Sequence, residues 1–469
     1  MKKILYISLL FLTASCQRPP VEPDPDPDPE PETIPAGAYE IPASGQRSGD
    51  ADAGYIYLTT GDYVSSGIPL QIYKTVYGNV TANELGRSGE NANIAYDYTA
   101  VTAPNGVQVV SANCLQCHAQ KLNNTLIVGL GNSLGDFTTD QSTQVSNLDL
   151  AVKFIYGNNS PEWVAYAPFR RAILAVGPQL VMPSRGVNPA DKLAAVLAAH
   201  RNQTDLVWRD EPGLTIPAGV VPTDVPAWWL MKKKNAMFYT ATGRSDMARF
   251  MMASSLLTLT DTAEARKVDN HFADVLAYIQ SIEPPVYPQT IDPVLSAKGK
   301  TIFTQNCRSC HGTYGDSASY PNLRVELATI GTDPLLSSSN YSESAFIAWY
   351  NGSWFGKNPN QAQLVAEGGY IAPPLDGVWA TAPYLHNGSV PDLETLLNSP
   401  SRPDYWRRTF DHSDYNYETV GWNYTLETSQ TDVKTYNTTL PGYGNQGHTF
   451  GDNLSELDRK ALIEYLKGI

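Results

Sequence analysis

The sequence predicts a mainly α protein of two similar units, with long ordered loops and a few short strands. Three observations predict it. The stretches Cys114-Leu115-Gln116-Cys117-His118 and Cys307-Arg308-Ser309-Cys310-His311 share the form Cys-x-x-Cys-His. The apolar positions and the tyrosine of 273–282 superimpose on those of 460–469, so each half closes with the same kind of helix. Finally, the chain has 35 Gly, 34 Pro and 27 Tyr but only 17% charged residues, a composition suited to loops ordered around cofactors rather than to long regular helices.

Cys-x-x-Cys-His is the attachment signature of a c-type haem. Two thiols three residues apart reach the two vinyl groups on one haem edge and form thioethers. The adjacent histidine then turns under the porphyrin and ligates the iron. The chain has 5 cysteines, four of them in these motifs, and the fifth is Cys16. None is left for a disulfide or a separate metal site. Zinc sites bring their Cys/His pairs close together in sequence, and a redox dithiol needs no following histidine. The expectation is therefore two cytochrome c-like haem domains, each holding one covalently bound haem c. Cys114, Cys117 and His118 hold the first haem; Cys307, Cys310 and His311 hold the second.

The N-terminus reads Met1-Lys2-Lys3, an apolar run from Ile4 to Leu12, then Thr13-Ala14-Ser15-Cys16. This is the order of a signal peptide, and the apolar run is too short for a permanent membrane span. A cysteine after small residues resembles a bacterial lipoprotein signal, with leucine one place further back than the usual pattern. Residues 1–16 are expected to be that signal, with Cys16 lipidated. The alternative is an ordinary secretory signal. Both place the protein in the cell envelope, anchored on the periplasmic or outer face in the first case. Residues 17–38 contain Pro23-Asp24-Pro25-Asp26-Pro27-Asp28 and read as an extended linker. The haem domains are expected at 39–285 and 290–469, separated by the proline-rich joint near Glu283 to Asp292. A net charge of -14 argues against nucleic acid as a partner.

Along the chain, Gly54 to Leu58 and Val107 to Val110 have strand-like content, and Gly61 to Pro69 reads as a turn-rich loop. No amphipathic helix leads into the first haem motif, and 129–138 is again loop chemistry. Helical spacing runs over 161–176, 189–199 and 268–282, with Pro189 suited to a first turn. Trp228-Trp229 beside Lys232-Lys233-Lys234 reads either as a packed aromatic corner with a solvated basic edge or as an aromatic wall of a haem pocket. Asp292-Pro293 starts a helix that carries Gly299 and Phe303 into the second motif. The last helix opens with Ser455 and Asp458, close to a capping box.

The ligand opposite each motif histidine decides between electron transfer and catalysis, since a vacant position binds peroxide or dioxygen. No methionine follows Met252, so His386, His412 and His448 remain for the second haem. After His118 the next histidine is His200. Asp136, Asp140 and Glu162 are the carboxylates available there for acid–base work.

Two haem motifs together with Thr381-Ala382-Pro383-Tyr384-Leu385-His386-Asn387-Gly388 resemble the bacterial di-haem cytochrome c peroxidase and MauG superfamily. The stretch from Leu375 through His386 to Leu393, and Gly444 to Phe450 around His448, look closer to its rubber-oxygenase branch. The resemblance is strong from about Asp292 onward and weaker before. It implies that His448 caps the second haem and that His386 lies near the haems without ligating iron. In peroxidases the carbonyls matching Thr381 and Pro383 help hold a calcium ion. It also implies an open first haem in an apolar pocket, for which Trp228, Trp229, Phe238 and Tyr239 are wall candidates. Candidate catalytic residues are thus His118, Trp228, Trp229 and His386. The histidine that peroxidases carry soon after the first motif is missing, which favours dioxygen over peroxide. The expected protein is an exported, lipid-anchored haem oxidoreductase, its partner an electron donor or acceptor protein or a small hydrophobic substrate. The alternatives are a peroxidase and a tethered electron carrier whose first haem is capped by tyrosine, lysine or Met182.

Overall fold

The computed structural model describes residues 34–469 apart from Thr81 and Glu343. The expected signal segment 1–16, the lipidated Cys16 and linker residues 17–33 lie outside the described residues. Pro35–Ile469 form one compact unit.

The second unit is built as its sequence implies. Asp292 caps the Pro293–Asn306 helix, its carboxylate accepting the N–H groups of Val294 and Leu295. The helix runs directly into Cys307, and the Arg308–His311 turn follows. The chain closes with the Glu456–Leu466 helix, capped by Ser455, which accepts the N–H of Asp458. These two helices cross at Gly299, where a Cβ would overlap the carbonyl oxygen of Ala461. Only a residue without a side chain allows that approach. One turn on, the rings of Phe303 and Tyr465 lie 5.3 Å apart.

The first unit repeats this crossing where the sequence pointed elsewhere. Gly54 to Leu58, strand-like in content, lies inside the Ala51–Thr60 helix. That helix packs on the Thr262–Ser281 helix, and a Cβ on Gly54 would overlap the carbonyl oxygen of Asp274. Asp274 is the residue that superimposes on Ala461 in the internal repeat. Tyr55 and Tyr278 meet at 5.1 Å, as Phe303 and Tyr465 do in the second unit. The N–H of Asp50 donates to the Asp274 carboxylate at 2.8 Å, and that of Asp292 donates to Glu464 at 2.7 Å. Isoleucine, tyrosine and threonine favour strands on a pleated, half-buried surface. Here burial of Gly54 and Leu58, four apart on one helix face, outweighs that preference.

Between Thr60 and Asn113 an insertion separates this first helix from its motif. It holds an antiparallel sheet in which Gln108–Ala112 lies between Ile68–Pro69 and Tyr98–Thr102. The strand expected at 107–110 falls here. After the first motif a hairpin pairs Ala119–Leu122 with Thr125–Val128. Helices follow at Val145–Tyr156, Pro161–Val176 and Ala190–Ala199. Pro189 occupies the cap of the last of these rather than its first turn. The architecture is mixed rather than mainly α, because short strands run before the first motif, between the two motifs and after the second.

The halves interleave. Ala38–Glu40 pairs with Leu323–Val325, which also pairs with Tyr370–Ile371. Gly243–Ser245 pairs with Ala362–Leu364. The core around Phe272 and Leu276 takes in Trp349, Tyr350 and Phe355 from beyond the proline-rich joint.

Candidate haem sites

A cavity with about 1970 Å³ of empty space, part of it open to solvent, borders the second motif. Cys307, Cys310 and His311 line it, together with Phe303, Leu462 and Leu466 from the crossed helices. The His311 Nδ1 lies 2.8 Å from the carbonyl oxygen of Pro373. As a donor there, it keeps its proton on Nδ1 and leaves Nε2 free for a metal.

His448 faces His311 across the cavity, and its loop is held from several directions. Gly447 takes a positive φ of 76° and packs so close to Gly331 that a Cβ would overlap its backbone. The His448 N–H donates to Ile330 O at 2.7 Å. The Arg402 guanidinium donates to Asn445 O and Gly447 O, both at 2.6 Å, and to His448 O at 3.1 Å. The two imidazole centroids are 6.3 Å apart. Two metal–nitrogen bonds of about 2 Å, plus about 1 Å from each nitrogen to its ring centre, give roughly the same span. Burial pushes His448 down to about 3 and lowers His311 as well, so both stay in the neutral form that ligates metals. The pair therefore fits a haem iron between them.

The first site is held differently. Asn113 precedes its motif; its Oδ1 accepts the Leu115 N–H while its Nδ2 donates to Tyr96 O and the Thr99 hydroxyl. The backbone of His118 accepts from Gly129, whose own carbonyl accepts from Trp228. The Trp228 ring stacks on the imidazole of His118 at 4.5 Å and 17°. His118 Nδ1 is buried with no hydrogen-bond partner among the described residues, and burial alone pushes this histidine down to about 3. Asn188 Nδ2 donates to Cys117 Sγ at 3.2 Å, and Ser254 Oγ lies 3.9 Å from Cys114 Sγ. Here the free thiols stand in for thioether sulfurs. Neither Asn188 nor Ser254 carries a sequence signal, since an amide or hydroxyl far from the motif looks like any loop residue.

The other expected residues separate into groups. Trp228 packs against the histidine itself, whereas Trp229 is fully buried among Leu130, Ala227 and Leu230, with its indole N–H on Asp376 O. Phe238 meets Phe250 edge-on at 5.7 Å. Tyr239 lines the second-site cavity and donates to Asp224 at 2.8 Å. His386 also borders that cavity, stacked on Tyr370 at 4.1 Å, with Nε2 buried and unpartnered. Thr381 and Pro383 border it too, and no group of three or more His, Cys, Asp or Glu side chains gathers there or elsewhere among the described residues.

Asp136 and Asp140 are spent on local turns, accepting from Thr138 and Ser142, and Glu162 lies in the first turn of its helix. Met182 is packed with Trp406, Tyr436 and Tyr443. His412 sits in a loop, where its Nδ1 accepts from the Asn124 N–H. The lysine run is not a uniform solvated edge. Lys232 pairs with Glu283 and Lys233 with Asp376, while Lys234 turns inward to line the cavity.

Two family models match the chain. One, described as RoxA-like, cytochrome c-like, matches residues 369–407, around His386. A cytochrome c model matches residues 296–375, spanning the second motif. Covalently bound haem c follows from that match. Two curated relatives come from Sinorhizobium fredii (strain NBRC 101917 / NGR234), and both are named as uncharacterized. Protein y4iM is 26% identical over 314 residues, covering 57% of this chain and 69% of its own. Protein y4iJ is 28% identical over 250 residues, covering 40% of this chain and 41% of its own.

Proposed function

We propose that the protein is an exported oxidoreductase carrying two haem c groups, with a reactive centre at His118 and an electron-relay centre between His311 and His448. The observation that carries this reading is the contrast across the two histidines. His311 faces a second imidazole at ligating distance, whereas among the described residues no imidazole ring meets that of His118, which has the Trp228 indole stacked on its face. When bound, haem c supplies an iron that takes up a small oxidant where a coordination position is open and passes single electrons where both are filled.

The chain's own part is to position and to exclude. Trp228 fixes the plane of His118, and Arg402 holds the His448 loop against the cavity. Dioxygen is the favoured oxidant and an unsaturated hydrophobic molecule the favoured substrate. The RoxA-like match around His386, and the absence of a histidine between His118 and His200, both support this. The wider di-haem peroxidase and MauG superfamily is the family reading that goes with it. The Thr381 and Pro383 carbonyls are proposed calcium ligands, Cys16 the lipid anchor, and a redox protein the electron partner.

Carbon monoxide tests the reading. The reduced protein is expected to bind one carbon monoxide per two haems. Binding at neither haem overturns the reading and leaves a tethered electron carrier.

A further inference from the structure

The cavity that holds His311 and His448 has a charge problem that the described side chains leave open. Lys234 lines it, and its ammonium makes no hydrogen bond or ion pair with any described residue. Burial pushes it down to about 8. No arginine and no other lysine lines this cavity among the described residues. Of its carboxylates, Asp376 is paired with Lys233, and Asp224 accepts from Tyr239. Lys234 is half-buried, facing this largely apolar cavity; an ammonium there without an anion becomes costly once the cavity is filled, and so does a carboxylate brought in without a cation. Haem c brings two propionate carboxylates into such a cavity.

We propose that Lys234 binds a propionate of the haem held between His311 and His448, so that each charge resolves the other. This rests on the reading of that cavity as a haem site. It assigns the last residue of the Lys232-Lys233-Lys234 run a cofactor-binding role, while the first two are fixed by carboxylates on the protein. A cation fixed beside the macrocycle favours the reduced iron, which carries one positive charge fewer. Lys234 is thus a positioning residue that also sets the potential of the relay haem.

The test is a redox titration of the intact two-haem protein carrying Lys234→Met or Lys234→Arg, with the low-spin haem followed by its absorption bands. In K234M the reduction equilibrium of that haem is expected to move about tenfold toward the oxidised form, about 59 mV for a one-electron couple. K234R should restore most of it, and the haem at His118 should shift less. Loss of the second haem in K234M with retention in K234R supports the same pairing. An unchanged potential in K234M, or loss of the haem in both variants, overturns it. If the wild-type protein shows no bis-histidine low-spin haem, it is the haem reading of the cavity that fails, and this is seen before any variant is made.

Discussion

The two units close by the same contact and differ in what they place around their histidines. Gly54 on Asp274 and Gly299 on Ala461 are the same helix crossing, made twice. In the second unit the crossed helix runs straight into Cys307, so His311 sits beneath the crossing, its Nδ1 against Pro373 O. In the first unit the sheet-bearing insertion intervenes, and His118 is instead braced by an indole face with no acceptor for its Nδ1. An imidazole that donates to a carbonyl is a better electron donor to its metal than one that does not. The difference teaches that helix closure and the surroundings of the motif histidine are set by separate parts of each unit.

The sharpest way to break this comparison is at His448. His448→Ala should convert the second haem completely from low-spin to high-spin and let it bind carbon monoxide, making the two sites alike in absorption and electron paramagnetic resonance. An unchanged spectrum removes His448 as ligand.

Next comes the helix crossing. Gly54→Ala and Gly299→Ala each place a methyl into a backbone carbonyl, and each should cost about 3 kcal/mol in denaturant unfolding. Similar losses sharpen the equivalence; a harmless G54A breaks it.

On the proposed two-haem reading, Trp228→Leu should alter the spectrum of the haem at His118 while leaving that at His311 as it is, with a loss of about 1 kcal/mol for the stacked pair. The smallest effects belong to the caps. Asp50 caps the Ala51–Thr60 helix, its carboxylate accepting the Ala53 N–H, and Asp50→Ala and Asp292→Ala should each lower stability by about 1 kcal/mol. Each also leaves the cap N–H free to keep its bond to Asp274 or Glu464.

Much of the second unit was legible because its signals are local. A proline after an N-cap, a glycine and an aromatic one turn apart, and a motif at fixed spacing each act within a few residues. The helix at Ala51–Thr60 was not read, because its strand-like residues obscure the Asp50 cap and the packing of Gly54 on Asp274, 220 positions away, is a tertiary contact. The lysine run was likewise ambiguous, since three identical side chains in a row differ only in what the fold brings to each.

By itself the sequence pointed to the covalent chemistry. Cys-x-x-Cys-His, twice at the same spacing, is the signature of c-type haem attachment, and the inventory of histidines and methionines left three histidines as candidates to cap the second motif. Tertiary structure decided the rest. It set the ring of His448 at 6.3 Å from that of His311, placed His412 in a loop and stacked His386 on Tyr370 with its Nε2 unpartnered among the described residues. The physical reason is that ligation needs a nitrogen of each ring brought to bear across a cavity, and that distance is set by packing of residues far apart in the chain.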